Sequence, residues 1–229
     1  MSFDGKIILV VAAHPDDEIL GCGGTTARIV NEGGVAYTLI LGEGITSRDE
    51  KRNRSKREKN ILDLQKTAEK ANKKLGVKKI YFGDFPDNRF DSCALLDIVK
   101  KVEEIKEKVK PGIIFTHYAK DCNIDHRVTY EAVVTATRPM QNETVKEVYA
   151  FEVLSSTEWG FPLSYSPNVF FDVTKTIDQK VKALTEYKTE MRDYPHPRST
   201  KAVKKNAETW GFKMGLKYAE AFVCIRCQH

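Results

Sequence analysis

Side chains suited to holding a metal ion and moving a proton fall together in Ala13-His14-Pro15-Asp16-Asp17-Glu18, just ahead of Gly21, Gly23 and Gly24. His14 and Asp17 stand three positions apart, close enough across a turn for both to reach one point. Imidazole with carboxylate is a good ligand pair for zinc. The same run also suits the first turn of a helix, where acidic groups meet the positive end of the dipole and proline is tolerated. A second segment shifts the balance toward a site: Thr116-His117-Tyr118 is followed by Asn123-Ile124-Asp125-His126-Arg127. A catalytic zinc commonly takes three protein ligands and keeps one position open for water. His14, Asp17 and His126 meet that need with one Zn2+ per chain, which leaves Asp16 as a general base. Zinc brings the pKa of its water to about 7. Asp125 can orient His126 or another ligand through a hydrogen bond.

The elements that must position these groups follow a βα rhythm. Apolar runs predict strands at Lys6 to Ala12, Val35 to Leu41, Lys79 to Phe82, Gly112 to Thr116 and Glu147 to Glu152, with a last one at Ala219 to Arg226. Helical spacing covers Glu18 to Glu32, Arg54 to Leu75, Cys93 to Lys108, Asp125 to Thr137 and Ile177 to Met191, and a further helix falls within Ser199 to Lys217. Strands without clean alternation are those covered on both faces. The fold class is therefore α/β, a Rossmann-like, mainly parallel sheet flanked by helices. In such sheets ligands bind at the carboxyl ends of the strands, where both His/Asp segments fall.

A chain of 229 residues with 41% hydrophobic content can bury a sizeable core and reads as one domain over 1–229. Its net charge of +5 arises from 37 basic and 32 acidic residues mixed along the sequence. The most basic stretch, Arg48 to Lys59, has no interleaved aromatic residues, so nucleic acid is not an expected partner. No apolar run is long enough to span a membrane. Five cysteines at scattered positions do not form a disulfide framework and fit a cytoplasmic location. Cys224 and Cys227 form a lone CxxC, and His229 closes the chain as an unstructured end.

The AHPDDE segment, the following glycines, Thr116-His117 and Asp125-His126-Arg127 together resemble the LmbE-like/PIG-L family of zinc-dependent N-deacetylases. The resemblance implies a hydrolase that removes an N-acetyl group from an amino sugar or sugar conjugate. It implies His14, Asp17 and His126 as ligands and Asp16 as the base, in agreement with the spacing. Many family members carry a histidine where this chain has Asn123. That substitution leaves Asn123 and His196, within Tyr194-Pro195-His196-Pro197-Arg198-Ser199, as candidate oxyanion donors. An acidic residue and an arginine contact sugar hydroxyls in the family, which points to Asp87 with Arg57 or Arg89. Pro86, Asp87 and Asn88 are also ordinary turn residues. Trp159, Phe161 and Tyr165 read as local packing rather than a sugar-stacking wall. The basic stretch favours a phosphate-bearing sugar, and analogy suggests a trimeric or hexameric homo-oligomer. Two alternatives remain at this point: a non-catalytic zinc- or sugar-binding protein on the same fold, and a nucleotide-binding Rossmann-like enzyme. The second lacks the GxGxxG spacing and places acidic groups where a pyrophosphate would lie.

Overall fold

In the computed structural model, which describes residues 3–228, Ile7–Ala12 forms the first strand, β1, near the middle of the sheet. It is followed by α1 (Asp17–Asn31), β2 (Val35–Gly42), α2 (Arg54–Lys74), β3 (Lys79–Phe85), α3 (Leu95–Val109), β4 (Ile113–His117), α4 (Ile124–Ala136) and β5 (Glu147–Phe151). Then come β6 (Val169–Asp172), α5 (Ile177–Leu184), α6 (Thr200–Lys213) and β7 (Ala219–Cys227). The strand order is β3-β2-β1-β4-β5-β7-β6. Strands β1 to β5 pair in parallel, whereas β7 runs antiparallel to both β5 and β6.

Successive residues of β1 feed two cores. Ile8 and Val10 pack with α1, α2, α5 and α6 on one face, and Leu9 and Val11 pack with α3 and α4 on the other. Being covered twice, the strand reads as unbroken apolar sequence, and alternation carries no information there. The chain winds outward from β1 through β2 to β3 and then returns to β4 on the opposite side of β1. The crevice opens at that reversal, between the carboxyl ends of β1 and β4.

Helix α1 lies so close to β5 that a side chain at Gly21 would place its Cβ 2.3 Å from the Phe151 ring. The helix breaks at Cys22, where φ is −143°, and the freed N–H groups of Gly24 and Thr25 donate to the Glu220 carboxylate of β7 at 3.0 and 2.6 Å. Lys180 of α5 neutralises Glu220. On the other face, buried Lys106 of α3 donates to the Ala136 carbonyl at the end of α4 and to Glu143.

One expectation needs correction and one element is new. The helix from Ile177 stops at Leu184 rather than at Met191, because the chain turns there and buries Tyr187 against Glu18 of α1. Strand β6 was not foreseen: four residues in a proline- and serine-containing stretch carry too short a pattern to stand out. Cys22, Cys93, Cys122 and Cys224 are free thiols. Among the described residues no helix is long and apolar enough to cross a membrane. His229 lies outside the described residues.

Candidate metal centre and active site

The turn between β1 and α1 delivers three carboxylates and one imidazole to the crevice. His14 donates its backbone N–H to Asp17 Oδ2 at 2.9 Å. Asp16 takes the N-cap position of α1 with φ 108° and ψ −28°, a left-handed conformation that costs a non-glycine residue about 1 kcal/mol or more. It is held there by Glu18, whose Oε2 accepts the Asp16 N–H at 2.9 Å. Glu18 is clamped in turn by the Tyr187 hydroxyl at 2.6 Å and by the Asn72 amide at 2.9 Å. With its carboxylate buried, Glu18 is pushed up to about 7.

Helix α4 brings its first turn to the same point. Asn123 caps it, its Oδ1 accepting the Asp125 N–H at 2.8 Å, and His126 faces the β1 turn. Asp17 Oδ2 lies 3.2 Å from His14 Nδ1 and 3.2 Å from His126 Nε2. His14, Asp17 and His126 each offer a ligating atom within 4.8 Å of the other two. Asp17 Oδ1 and both ring nitrogens of His126 are buried with no hydrogen-bond partner in acceptable geometry. Orphaned buried donors and acceptors are costly, and a cation shared among them removes the cost. The residues therefore fit a metal ion by the chemistry of their donor set, two imidazoles and one carboxylate. Burial opposes charge on Asp17, yet the adjacent imidazoles of His126 and His14 hold its carboxyl well below the usual range. That keeps it ionised, the form in which a carboxylate can ligate a metal.

A second set of carboxylates fixes the rings. Asp125 accepts from His14 Nε2 at 2.9 Å and from the Phe90 N–H at 2.9 Å, so it orients His14 rather than His126. His126 Nδ1 instead faces Asp121 at 3.1 Å. Asp121 is pinned by the Asn123 N–H at 2.8 Å and by the hydroxyls of Ser156 and Thr157. Asp87 Oδ1 stands 3.4 Å from His14 Nε2, which accounts for the grouping of His14, Asp87 and Asp125 as a second set of neighbouring donors. His117 stays outside: its Nε2 accepts the Ala13 N–H at 2.8 Å, and its ring stacks on His126 at 3.9 Å. Burial and the neighbouring His126 hold its pKa well below the usual value, so it is a neutral support.

The family model described as PIG-L, GlcNAc-PI de-N-acetylase, matches residues 9–137, more than half of the chain and every donor of this cluster. The chain belongs to the PIG-L deacetylase family. It is 28% identical over 190 residues to the uncharacterized deacetylase YaiS of Escherichia coli K12, covering 80% of this chain and 91% of the relative. It is 25% identical over 225 residues to the diacetylchitobiose deacetylase of Thermococcus kodakarensis, covering 95% and 82%. The N,N'-diacetylchitobiose deacetylase structure from Pyrococcus horikoshii superposes with a TM-score of 0.77 at 20% identity, over 97% of this chain and 85% of that one. At that identity the likeness speaks for the fold alone.

Around the PIG-L cluster, the remaining candidates separate. Asp16 is buried and receives a hydrogen bond from Arg198 Nη1 at 2.9 Å. Burial pushes its carboxyl well above the usual range, against the pull of that guanidinium. Asn123 spends one amide proton on Asn88 Oδ1 at 2.8 Å. His196 Nδ1 accepts the Arg198 N–H at 3.1 Å, which leaves the ring proton on Nε2, free to donate. Asp87 is held by Ser47 through its N–H and hydroxyl at 3.0 and 2.5 Å. Arg57 is committed to Asp49 in a two-pronged pair at 2.7 Å, and Arg89 donates to the Glu50 carbonyl at 3.3 Å, so neither arginine is bonded to the cluster.

Sequence reasoning missed Asp121, Arg198 and Tyr187. Asp121 had a signal, a carboxylate five residues before His126. Arg198 stands two residues after His196 in the stretch already singled out. Tyr187 had none beyond its place in a helical pattern. The expectation of local packing is corrected for Phe161, which is 77% exposed, while Trp159 is half-exposed with its ring edge-on to His196. Tyr165 does pack, donating to the Ala221 carbonyl at 2.6 Å.

Proposed function

We propose that residues 1–229 act as one zinc-dependent N-deacetylase domain that hydrolyses the acetamide of an N-acetyl amino sugar or its conjugate. The buried, unsatisfied donors of Asp17 and His126 beside His14, next to a buried Asp16, carry this reading. His14, Asp17 and His126 hold the ion. When bound, zinc supplies Lewis acidity toward the amide carbonyl and eases deprotonation of a water molecule.

Asp16 takes a proton from the attacking water as its oxygen bonds to the acetyl carbon. Arg198 fixes the carboxylate in place. As the C–N bond breaks, Asp16 returns the proton to the nitrogen, and the products are acetate and a free amine. His196 Nε2 and the second amide proton of Asn123 are the donors for the negative charge on the carbonyl oxygen, a role worth about 10²–10³ in rate. Asp87 accepts from a sugar hydroxyl. The names of the matched deacetylases, which act on acetylated sugars, support the substrate class.

The test is metal content by elemental analysis together with acetate release from a panel of N-acetyl sugars, for the parent and Asp16→Asn. The expected result is about one zinc per chain in both, with acetate release lost in the variant by a factor of about 10²–10⁴. Failure of the parent to bind zinc, or undiminished turnover in Asp16→Asn, would overturn it.

A further inference from the structure

The metal-binding side chains are recessed: His14 is 12% exposed, and Asp17 and His126 are 0% and 1%. A substrate must therefore bring its acetamide inward and leave the rest of itself at the rim. One side of that rim is polar, built from Ser47, Asp87, Asn88 and Asn123. The other side is the segment after β5, and it is bolted to the site. Ser155 Oγ accepts from Arg198 Nε at 2.7 Å, the hydroxyls of Ser156 and Thr157 donate to Asp121, and Gly160 lies against the Lys120 carbonyl.

This fixed segment ends in exposed apolar side chains: Trp159 at 48%, Phe161 at 77% and Leu163 at 70%. Trp159 is not a loose surface residue. Its backbone N–H donates to the Ser156 carbonyl at 3.1 Å, and its ring meets His196 edge-on at 6.1 Å. A half-exposed indole on a rigid segment beside a recessed centre offers a flat apolar platform with little entropy left to lose on binding.

Five of the seven cations in the basic stretch near the rim are already engaged. Within Arg48 to Lys59, Arg48 pairs with Glu190, Arg52 and Arg54 with Glu43, and Lys56 and Arg57 with Asp49. A phosphate arriving there must compete with Glu190, Glu43 and Asp49 for these five cations.

We propose that Trp159 is the platform on which the aglycone of the substrate stacks, and that the preferred aglycone is apolar, an aryl or alkyl group, rather than a phosphate. This rests on the deacetylase reading above, and Trp159 is its specificity-determining residue. The experiment compares kcat/KM for free N-acetylglucosamine, its 1-phosphate and its phenyl glycoside, in the parent, Trp159→Ala and Trp159→Phe. In the parent the phenyl glycoside should exceed the 1-phosphate by about tenfold. In Trp159→Ala the ratio of phenyl glycoside to free sugar should fall by about tenfold, mainly through KM, and Trp159→Phe should restore most of it. Preference for the 1-phosphate in the parent, or an equal loss on every substrate in Trp159→Ala, would overturn the proposal.

Binding of phenyl glucosaminide, followed by indole fluorescence, gives a readout independent of turnover. Trp210 supplies the background, measured in Trp159→Phe. A parent that releases acetate from none of these sugars but shows the Trp159-dependent fluorescence change defeats the deacetylase reading and keeps the platform. A fluorescence response that survives unchanged in Trp159→Phe defeats the platform.

Discussion

Asp16 combines two costs: a left-handed backbone and a buried carboxylate. Such combinations persist where surrounding contacts over-determine them, and here Glu18 holds the backbone while Arg198 holds the side chain. The Asp16→Asn variant already described keeps this shape and removes the basicity, so its zinc content should remain that of the parent. Asp121 acts one step further out, through His126. Asp121→Asn leaves the carboxamide within reach of Ser156 and Thr157 but weakens the hold on the ring, and zinc affinity should fall by about 10–100-fold in a competition titration with a chelator. Unchanged affinity would show that stacking on His117 alone fixes His126. At this scale the sequence was readable where clustered residues, His14 and Asp17, sit in one turn. It was silent about Arg198 and Tyr187, which lie more than 160 residues from their partners on the first turn of α1.

Helix α4 carries His126, and its position depends on what ties its far end to α3. Lys106 joins the Ala136 carbonyl, and Glu143 completes the pair with both side chains largely buried. Removing one partner of a buried pair costs about 3–5 kcal/mol, so Lys106→Met should lower stability on that scale in urea unfolding. The pH dependence has a definite sign. Burial raises the Glu143 carboxyl, but the Lys106 hydrogen bond and charge, together with backbone hydrogen bonds at Val145 and Thr144, outweigh it and leave it below its usual value. A depressed carboxyl stabilises the fold above the unfolded value of about 4.3, and the gain disappears as pH falls through the folded value. The stability difference between parent and Glu143→Gln should thus be largest near neutrality and vanish in acid. A difference constant down to low pH would mean that packing, not charge, makes the contribution. Elements were the most legible scale: strands β1 to β5 and the helices between them lie where the apolar runs predicted, because burial on both faces imposes that composition. Strand β6 and the early end of α5 depend on tertiary partners, which local pattern does not record.

The whole molecule should feel the metal as well. An ion that binds only the native cluster adds stability by mass action, about 2.7 kcal/mol at one hundred times its dissociation constant, or about 5–10 °C for a chain of this size. Protein stripped with a chelator should melt lower by that order and recover on adding zinc, while the His126→Ala variant should show no recovery. Equal melting of stripped and reloaded parent would remove the metal from the account. The sequence supplied the α/β class and the crevice, but the family signature stops at residue 137. The 57 residues after β6 close the site over long loops, a contribution no periodicity reveals.

That division matters for anyone building chimaeras. A fragment or graft bounded by the family signature would inherit His14, Asp16, Asp17 and His126 yet leave behind Tyr187, Arg198 and Glu220. Substrate range cannot be exchanged by swapping the last third of the chain as a detachable specificity module. The donor must bring its own tyrosine and arginine, or the recipient inherits a complete set of reactive groups with no frame to aim them.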